Sequence, residues 1–200
     1  MNYLAHAYLS FDHPGILTGN MISDFVKGRK KDDFPAGIRD GITLHRLIDT
    51  YTDQHEATRR AKTVFRPAYR LYAAAFTDVV FDHFLANDEQ ELPGDTLKVF
   101  AEKVYGTVDI SHPLIPLKFA SMFPYMKRQN WLYNYRFMWG IERSFEGLAR
   151  RASGIPETDT AFLLFKENYA FLKECYTTFF PDLKSFTITE YKRILENGNE

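Results

Sequence analysis

The chain has 200 residues, a length that fits one domain and that can bury a core without disulfides or a structural metal. Apolar residues make up 45% and charged residues 26%, which excludes a disordered chain. With 25 Lys and Arg against 26 Asp and Glu, the net charge of −1 excludes the general attraction to nucleic acid that a strongly basic domain has. We therefore expect one soluble domain over residues 1–200.

Apolar residues recur at helical spacing through most of the chain. A first helix is expected to begin at Pro14 and end near Gly28, because proline is favoured at a helix start and glycine after a helix end. Turns at His112 and Pro116 separate later helices, and we expect Pro124 to break the segment that follows. In chain order, the predicted helices cover 14–28, 35–65 with a break near Gly41, Pro67 to Phe84, 96–105, 131–151, 158–180 and 187–196. The sequence therefore predicts an all-α protein, a single-domain helical bundle.

The cellular location is predicted from two further features. Cys175 is the single cysteine and cannot form an internal disulfide, which points to a reducing compartment. The N-terminus lacks the basic start and apolar run of a signal peptide, and no run of about 18 apolar residues occurs. We expect a cytoplasmic protein with no membrane span.

Several polar and ionisable side chains stand where a helical core would have leucine. Side chains four residues apart on a helix share one face, with Cβ atoms about 5–6 Å apart, so both can reach one ion. His83 directly follows Asp82, and His6 lies in an apolar N-terminal segment. Imidazoles and carboxylates without a thiolate suit Mn²⁺, Fe²⁺, Mg²⁺ or Zn²⁺. The four-residue spacing occurs in the pairs Asn20 and Asp24, His45 and Asp49, Asp49 and Asp53, and Asp78 and Asp82.

The same pairs have a second interpretation. A His–Asp pair at this spacing is commonly an ion pair on the surface, and a lone histidine such as His6 is commonly a core residue with its own hydrogen bonds. Three separate helical segments each offer an aspartate and two of them a histidine, which favours the metal hypothesis. The spacing alone leaves both interpretations open.

A basic segment lies between Lys118 and Arg151. It has seven cations against Glu142 and Glu146, a net charge of +5. A second basic cluster at 27–31 follows Asp24. These charges predict either a solvated surface or a docking site for an acidic partner. Interleaved aromatic residues would also suit nucleic-acid stacking, but the near-neutral chain argues against nucleic acid. Three of the cations, seven residues apart, fall near one predicted helix face: Arg136, Arg143 and Arg150.

Five sequence blocks stand out when they are taken together. They are Met1-Asn-Tyr-Leu-Ala-His6, Gly19-Asn20-Met-Ile-Ser-Asp24-Phe-Val-Lys-Gly28, Asp40-Gly-Ile-Thr-Leu-His45-Arg46-Leu-Ile-Asp49, Asp78-Val-Val-Phe-Asp82-His83-Phe84-Leu85 and Trp131-Leu-Tyr-Asn-Tyr135-Arg136. In these blocks, which extend from residue 1 to about residue 151, the chain resembles the bacterial acyl carrier protein phosphodiesterases, also called holo-ACP hydrolases. Beyond residue 155 the resemblance is one of helical and aromatic character.

The resemblance implies an all-helical protein, distantly similar to HD-domain phosphohydrolases, that uses a divalent metal, usually Mn²⁺, with Mg²⁺ or Fe²⁺ as alternatives. Its reaction would hydrolyse the phosphodiester between 4′-phosphopantetheine and a serine of acyl carrier protein (ACP), with apo-ACP as a product. Asp24 would be the essential residue. The chain departs from HD enzymes in having Asp82-His83 where they have a His-Asp dipeptide. The candidate metal ligands are Asp24, His45, Asp82, His83 and His6.

The chemistry of this reaction gives further residues a role. Asp24 and Asp49 are the predicted catalytic carboxylates, and Asp49 or Asp53 would orient a metal ligand or accept a proton. Arg46, next to His45, would contact a non-bridging phosphate oxygen with its guanidinium group. ACP is strongly acidic, so the basic segment gains a use as its docking surface. The predicted partner-binding residues are Lys127, Arg128, Arg136, Arg143 and Arg150.

Two alternatives stay open at this stage. An HD-like phosphohydrolase acting on a small phosphorylated metabolite or nucleotide would keep the metal site but show no dependence on the basic segment. A non-catalytic helical interaction protein would bind no metal after dialysis, and Asp24→Ala would change no rate.

Overall fold

The computed structural model describes residues 1–152 and 154–197 of the chain. These parts contain eleven α-helices and no strand, so the all-α prediction is confirmed. No helix among them has both the length and the apolar character needed to cross a membrane. In chain order the helices are α1 (Tyr3–Tyr8), α2 (Pro14–Ile22), α3 (Ala36–Gln54), α4 (Glu56–Tyr69), α5 (Ala73–Ala86), α6 (Thr96–Ile110), α7 (Leu117–Arg128), α8 (Trp131–Asn134), α9 (Met138–Arg151), α10 (Asp159–Glu167) and α11 (Tyr169–Asn197).

Helices α2 and α3 touch through their backbones, and two glycines make this contact possible. A Cβ atom on Gly19 would lie 2.2 Å from the carbonyl oxygen of Ile38. One on Gly41 would lie 2.3 Å from the carbonyl oxygen of Ile16. Both distances are far below van der Waals contact, so a larger residue would push the helices apart. The predicted helix break near Gly41 is therefore wrong, since this glycine lies inside α3 and serves its packing against α2.

The chain turns between α3 and α4 at His55. This residue has an extended backbone, with ψ at 135°, which ends α3. Its Nδ1 accepts the backbone N–H of Ala57 at 3.2 Å, so the imidazole acts as the N-cap of α4. The region 35–65, predicted as one helix broken near Gly41, is thus divided fourteen residues further on.

Three prolines lie inside helices: Pro67 in α4, Pro124 in α7 and Pro181 in α11. The predicted helix start at Pro67 and the predicted break at Pro124 are therefore wrong. A proline removes one backbone hydrogen bond, and each helix continues because its apolar residues on both sides are held in the core. In α7 these are Phe119, Phe123 and Met126, all buried.

Packed aromatic rings fix the position of α5, the helix that carries Asp78, Asp82 and His83. The ring of Phe76 lies 4.9 Å from that of Phe145 on α9 and 5.6 Å from that of Phe65 on α4, measured between centroids. All three rings are fully buried. Each buried aromatic side chain of this kind contributes about 1.5–3 kcal/mol of transfer free energy. Helix α5 is therefore held firmly against α4 and α9.

Candidate metal centre

Four of the predicted residues lie together where α1, the end of α2 and α3 meet: His6, Asp24, His45 and Asp49. The two carboxylate oxygens of Asp49 contact different histidines. Its Oδ1 lies 3.2 Å from His6 Nε2, and its Oδ2 lies 3.1 Å from His45 Nε2. Asp24 Oδ1 lies 3.3 Å from the same nitrogen of His45. Residues from three separate sequence blocks thus form one cluster, which we call the His–Asp cluster.

Asp24 reaches the cluster because α2 ends early. The helix predicted to run to Gly28 ends at Ile22, and a 3₁₀ helix over Ser23–Phe25 follows it. This tighter turn places the Asp24 carboxylate beside His45. The Asp24 side chain is 68% exposed, whereas His45 is buried, so Asp24 lies on the open side of the cluster.

The two histidines stack on one another and differ in their hydrogen bonds. Their ring centroids are 3.8 Å apart with an angle of 13° between the planes. His45 Nδ1 lies 2.9 Å from the backbone carbonyl oxygen of Asn20. Because a carbonyl can only accept, His45 Nδ1 carries a proton, and its Nε2 is the atom that faces the two carboxylates. This is the orientation in which a histidine offers Nε2 to a metal.

His6 is buried, and no described residue gives it a directed hydrogen bond. Within residues 1–152 and 154–197 neither ring nitrogen has a partner of suitable geometry, although Asp49 Oδ1 lies 3.2 Å from Nε2. The oxygen is close enough for an ion pair but lies off the direction of the ring nitrogen's N–H or lone pair. Leaving a buried polar group unsatisfied costs about 1–3 kcal/mol, so an orphaned imidazole at this position calls for a partner.

The donor set fits a divalent metal. His6, His45 and Asp49 each offer one ligand atom, and these atoms all lie within 4.8 Å of one another. Two imidazoles and a carboxylate suit first-row divalent ions. A metal among them would also give His6 the partner that the protein does not supply. Asp24 stands next to this triad and offers a fourth, exposed carboxylate.

The electrostatics of the cluster favour a positive charge at its centre. Burial alone would lower the pKa of His45, but the carboxylates of Asp24 and Asp49 outweigh burial and raise that pKa to about 9. Burial and the neighbouring His45 lower the pKa of His6 to about 4. Burial would raise the pKa of Asp49, yet the two imidazoles hold it well below its usual range. Both carboxylates thus stay ionised at neutral pH.

Asp78 borders the cluster and received no role from the sequence. Its Oδ1 lies 3.1 Å from the amino group of Met1, which also lies 3.9 Å from Asp49 Oδ1. Burial raises the pKa of the Asp78 carboxyl despite this nearby positive charge. The spacing of Asp78 and Asp82 was the available signal, but it did not reveal that the two carboxylates hold different parts of the N-terminal segment.

Asp82 is not part of the cluster, which corrects its predicted role as a metal ligand. It is fully buried, and its Oδ2 accepts the backbone N–H of Leu4 at 2.7 Å. Its Oδ1 accepts the N–H groups of Asn2 and Ala5, each at 3.3 Å. Burial raises the pKa of Asp82 to about 7, although these N–H groups act in the opposite direction. The carboxylate serves the unpaired N–H groups at the start of α1.

His83 likewise does not join the cluster, so its predicted ligand role is corrected as well. Its Nδ1 lies 2.7 Å from the carbonyl oxygen of Tyr135 and therefore donates to it. Its Nε2 lies 3.1 Å from the hydroxyl of Tyr169, which can donate to this nitrogen. Both ring nitrogens are thus engaged by the protein, and His83 ties α5 to the segment before α9 and to α11.

Arg46 does not point its guanidinium group toward a phosphate site, as the sequence predicted. Its Nη2 donates to the carbonyl of Val26 at 2.9 Å and its Nη1 to that of Gly28 at 3.1 Å. Gly28 has φ at +55°, which favours glycine at this turn. Arg46 therefore binds the segment after Asp24 to α3, the helix that carries His45 and Asp49.

The predicted partner-binding cations do not form one row. Arg136 precedes α9, so the seven-residue spacing places just Arg143 and Arg150 on that helix. Lys127 forms an ion pair with Asp109, and Arg150 Nη2 lies 3.6 Å from Glu146 Oε2. Three of the five cations instead stack on aromatic rings: Arg128 on Tyr125, Arg136 on Tyr133 and Arg143 on Trp139, at 5.0, 5.4 and 5.2 Å from the ring centroids.

A cavity of about 480 Å³ opens beside Asp24. It brings two cations of the basic segment, Lys118 and Arg151, to the same space as Asp24 and Asp78. The prediction from the sequence included both cations in the basic segment and gave neither of them a role at the metal site. An anionic group in this cavity would have both cations and both carboxylates among its neighbours.

Comparison with known proteins gives a consistent result. A family model described as acyl carrier protein phosphodiesterase matches residues 1–183. An acyl carrier protein phosphodiesterase of Yersinia pestis is 31% identical over 184 residues, which are 92% of this chain and 95% of that protein. Proteins of the same name from Klebsiella pneumoniae and Photorhabdus laumondii are 33% and 30% identical, over 92% and 90% of this chain and 95% and 92% of their own. No solved structure matches the chain, so its likeness to HD-domain proteins stays a prediction.

Proposed function

The chain belongs to the acyl carrier protein phosphodiesterase family, and from this membership we propose that it removes 4′-phosphopantetheine from holo-ACP. The reaction adds one water to the phosphodiester. The bond between phosphorus and the serine oxygen breaks, the hydroxyl stays on phosphorus, and the proton leaves with the serine oxygen. The products are apo-ACP and 4′-phosphopantetheine.

The observation that supports a metal in this reaction is the imidazole of His6, which lacks a directed partner among the described residues, stacks on His45 and faces Asp49. We assign these three residues as ligands of a divalent metal. Mn²⁺ is our first choice, and Mg²⁺ or Fe²⁺ are the alternatives that imidazole and carboxylate ligands also accept. When bound, the ion would neutralise phosphate charge and lower the pKa of a coordinated water.

Asp24 and the cations of the cavity act on the substrate directly in this proposal. His45 holds the pKa of the Asp24 carboxyl below its usual value, so the group is ionised at neutral pH. It accepts a hydrogen bond from the attacking water and orients that water toward phosphorus. Lys118 and Arg151 line the same cavity and offset the negative charge of the phosphodiester. Arg46 is a positioning residue, since it fixes the segment that carries Asp24.

The acidic substrate protein docks, we propose, on the surface around the basic segment 118–151. Arg128, Arg136 and Arg143 have aromatic neighbours that leave their charges available to a partner. We place the reaction in the cytoplasm, where the free, buried thiol of Cys175 would stay reduced. Arg128→Glu is expected to raise KM for holo-ACP most at low salt, and Lys192→Glu on α11 is its matched control. An unchanged KM in Arg128→Glu would contradict docking at this surface.

The proposed activity is tested by intact-mass spectrometry of holo-ACP incubated with the protein, with Mn²⁺ and with EDTA. We expect the loss of one 4′-phosphopantetheine with Mn²⁺ and none with EDTA. Asp24→Ala is expected to abolish the change. Asp53, the other aspartate that the sequence offered for orienting a ligand, is exposed and pairs with Lys62 at 2.6 Å. Asp53→Ala therefore serves as the matched control.

The alternatives give different results in the same experiment. Intact holo-ACP together with hydrolysis of a small phosphodiester would favour a phosphohydrolase of small substrates. Absence of bound metal together with intact holo-ACP would favour an interaction protein. Either result would overturn the proposed activity.

A further inference from the structure

A second groove adjoins the cavity beside Asp24. It has a volume of about 360 Å³ and lies along α8 and α9. Asn2, Tyr3 and Arg151 line both spaces, so they mark the junction between them. This groove is therefore the space next to a phosphate that lies near Asp24 and Arg151. Its volume falls within the range of about 300–1,000 Å³ that small-molecule sites occupy.

The groove wall combines aromatic faces with amide and guanidinium groups. Trp131 Nε1 donates to Gln129 Oε1 at 2.9 Å, and Asn134 Nδ2 donates to the Gln129 carbonyl at 2.6 Å. The guanidinium of Arg143 lies 5.2 Å from the ring centroid of Trp139, which is 44% exposed. These contacts hold the wall in place before any ligand binds. Such a wall suits a ligand with both apolar carbon and amide groups.

Gly147 keeps one side of the groove open. It lies inside α9, where glycine costs about 1 kcal/mol relative to alanine. The nearest atom to a Cβ at this position would be Arg151 Nη1 at 3.4 Å, so packing does not require a glycine here. Gly140 on the same helix differs, because its Cβ would lie 1.9 Å from the carbonyl oxygen of Asn134. Gly147 thus leaves space on the groove side of α9 that a large side chain would fill and a methyl group would not.

We propose that this groove binds the pantetheine arm of the substrate, with the phosphate at the junction beside Arg151. This inference rests on the proposed function, because holo-ACP hydrolysis is what brings a phosphopantetheine to the cavity. The arm has two amides and a dimethyl-substituted carbon, which match the amide groups and tryptophan faces of the wall. The remainder of ACP would then stay outside the groove.

The two tryptophans of the chain, Trp131 and Trp139, both line this groove, so fluorescence of the unaltered protein reports its occupancy. We expect a saturable change in fluorescence when 4′-phosphopantetheine is titrated into the Mn²⁺-loaded protein. Inorganic phosphate alone is expected to give none. Absence of a change with 4′-phosphopantetheine, or an equal change with phosphate, would overturn the inference.

Gly147→Phe tests the groove in catalysis, with Gly147→Ala as the matched control. The phenyl ring is expected to lower kcat/KM for holo-ACP by about 10- to 100-fold, because the arm and its phosphate are displaced. Hydrolysis of bis(p-nitrophenyl) phosphate, which lacks the arm, is expected to fall much less than that of holo-ACP, by the amount that a displaced Arg151 accounts for. Inhibition by apo-ACP is expected to stay within about twofold. Gly147→Ala is expected to behave as the wild type on both substrates.

The outcomes separate this inference from the proposed function. If the wild type leaves holo-ACP intact, the proposed function fails and the groove assignment falls with it. If the wild type acts and Gly147→Phe retains its kcat/KM, the groove assignment alone fails. A parallel loss on bis(p-nitrophenyl) phosphate would show a distorted cluster. An equal loss of inhibition by apo-ACP would show that the groove binds the ACP protein itself and not the pantetheine arm. Either parallel loss overturns the inference.

Discussion

The His–Asp cluster and the Asp82–His83 pair have the same residue types and are buried in the same protein, yet they use their polar atoms differently. In the pair on α5, every ring nitrogen and both carboxylate oxygens have partners within the protein, most of them backbone groups. In the cluster, His6 has no directed partner in the described part of the chain, and Asp24 and Asp49 remain partly open to solvent. The histidine whose ring nitrogens lack directed partners among the described residues is therefore the one that we propose as a metal ligand.

Removing a cluster carboxylate is expected to have the largest effect. Asp49→Ala takes away the group that contacts both histidines, so bound Mn²⁺ should fall toward zero by elemental analysis. Activity should fall by more than about 100-fold, since even outer partners of metal ligands cost 10- to 100-fold when they are lost. Asp53→Ala should retain both metal and activity. Full metal content in Asp49→Ala would remove the distinction between the two sites.

Asp82→Ala should act on stability. Three backbone N–H groups at the start of α1 would lose their acceptor, and one buried unsatisfied group alone costs about 1–3 kcal/mol. We expect the free energy of unfolding in urea to fall by about 3 kcal/mol, while folded protein at saturating Mn²⁺ still binds metal. Asp82→Asn, which keeps one acceptor oxygen, should lie in between. A metal-free variant of unchanged stability would make Asp82 a ligand after all.

Arg46→Gln tests how the His–Asp cluster is supported, because it loosens the segment that carries Asp24. The variant loses the two-pronged contact with Val26 and Gly28, so we expect kcat to fall by about 10-fold, in the range of outer-partner losses. KM and bound metal should change little. Arg39→Gln, on the same helix, is the control. A rise in KM with unchanged kcat would instead indicate direct contact with substrate, as the sequence predicted.

The smallest effect is expected from the titration of His83. Burial lowers its pKa in the folded protein below the ordinary value of 6.5. Below pH 6.5 the unfolded chain therefore binds a proton that the folded protein does not, and stability falls as the pH falls. The loss is at most about 1.4 kcal/mol per pH unit. His83→Gln should remove this part of the decline between pH 7 and pH 5 in urea unfolding. Identical slopes for variant and wild type would contradict it.

Spacing along a single helix singled out His45 and Asp49, whereas His6 was singled out as a histidine in an apolar segment. His45 and Asp49 are one turn apart on α3, and helical periodicity correctly predicted that the chain is all-α. Spacing along one helix does not show which groups from other parts of the chain contact a given side chain. Asp82 meets the N–H groups of Asn2, Leu4 and Ala5 from the far N-terminus, so sequence proximity gave no sign of them.

Helix ends were the least predictable part of the fold. When the neighbouring helices are unknown, a glycine or a proline in the sequence predicts the end of a helix. Gly41 proved to be a contact with α2, and Pro124 lies within a helix whose buried aromatic residues hold it together. The actual end of α3 depends on the imidazole of His55 acting as a cap, which is a less common choice than Ser, Thr, Asp or Asn.

The backbone contact between Gly19 and Gly41 limits how this centre could be built into another scaffold. His45 Nδ1 can donate to the Asn20 carbonyl because α2 and α3 lie so close together. Helices with ordinary side chains between them keep their axes about 8–10 Å apart. Grafted onto such a pair, the four cluster side chains would lack the carbonyl that fixes the proton on His45. A successful transplant therefore needs the glycine pair as much as it needs the ligands.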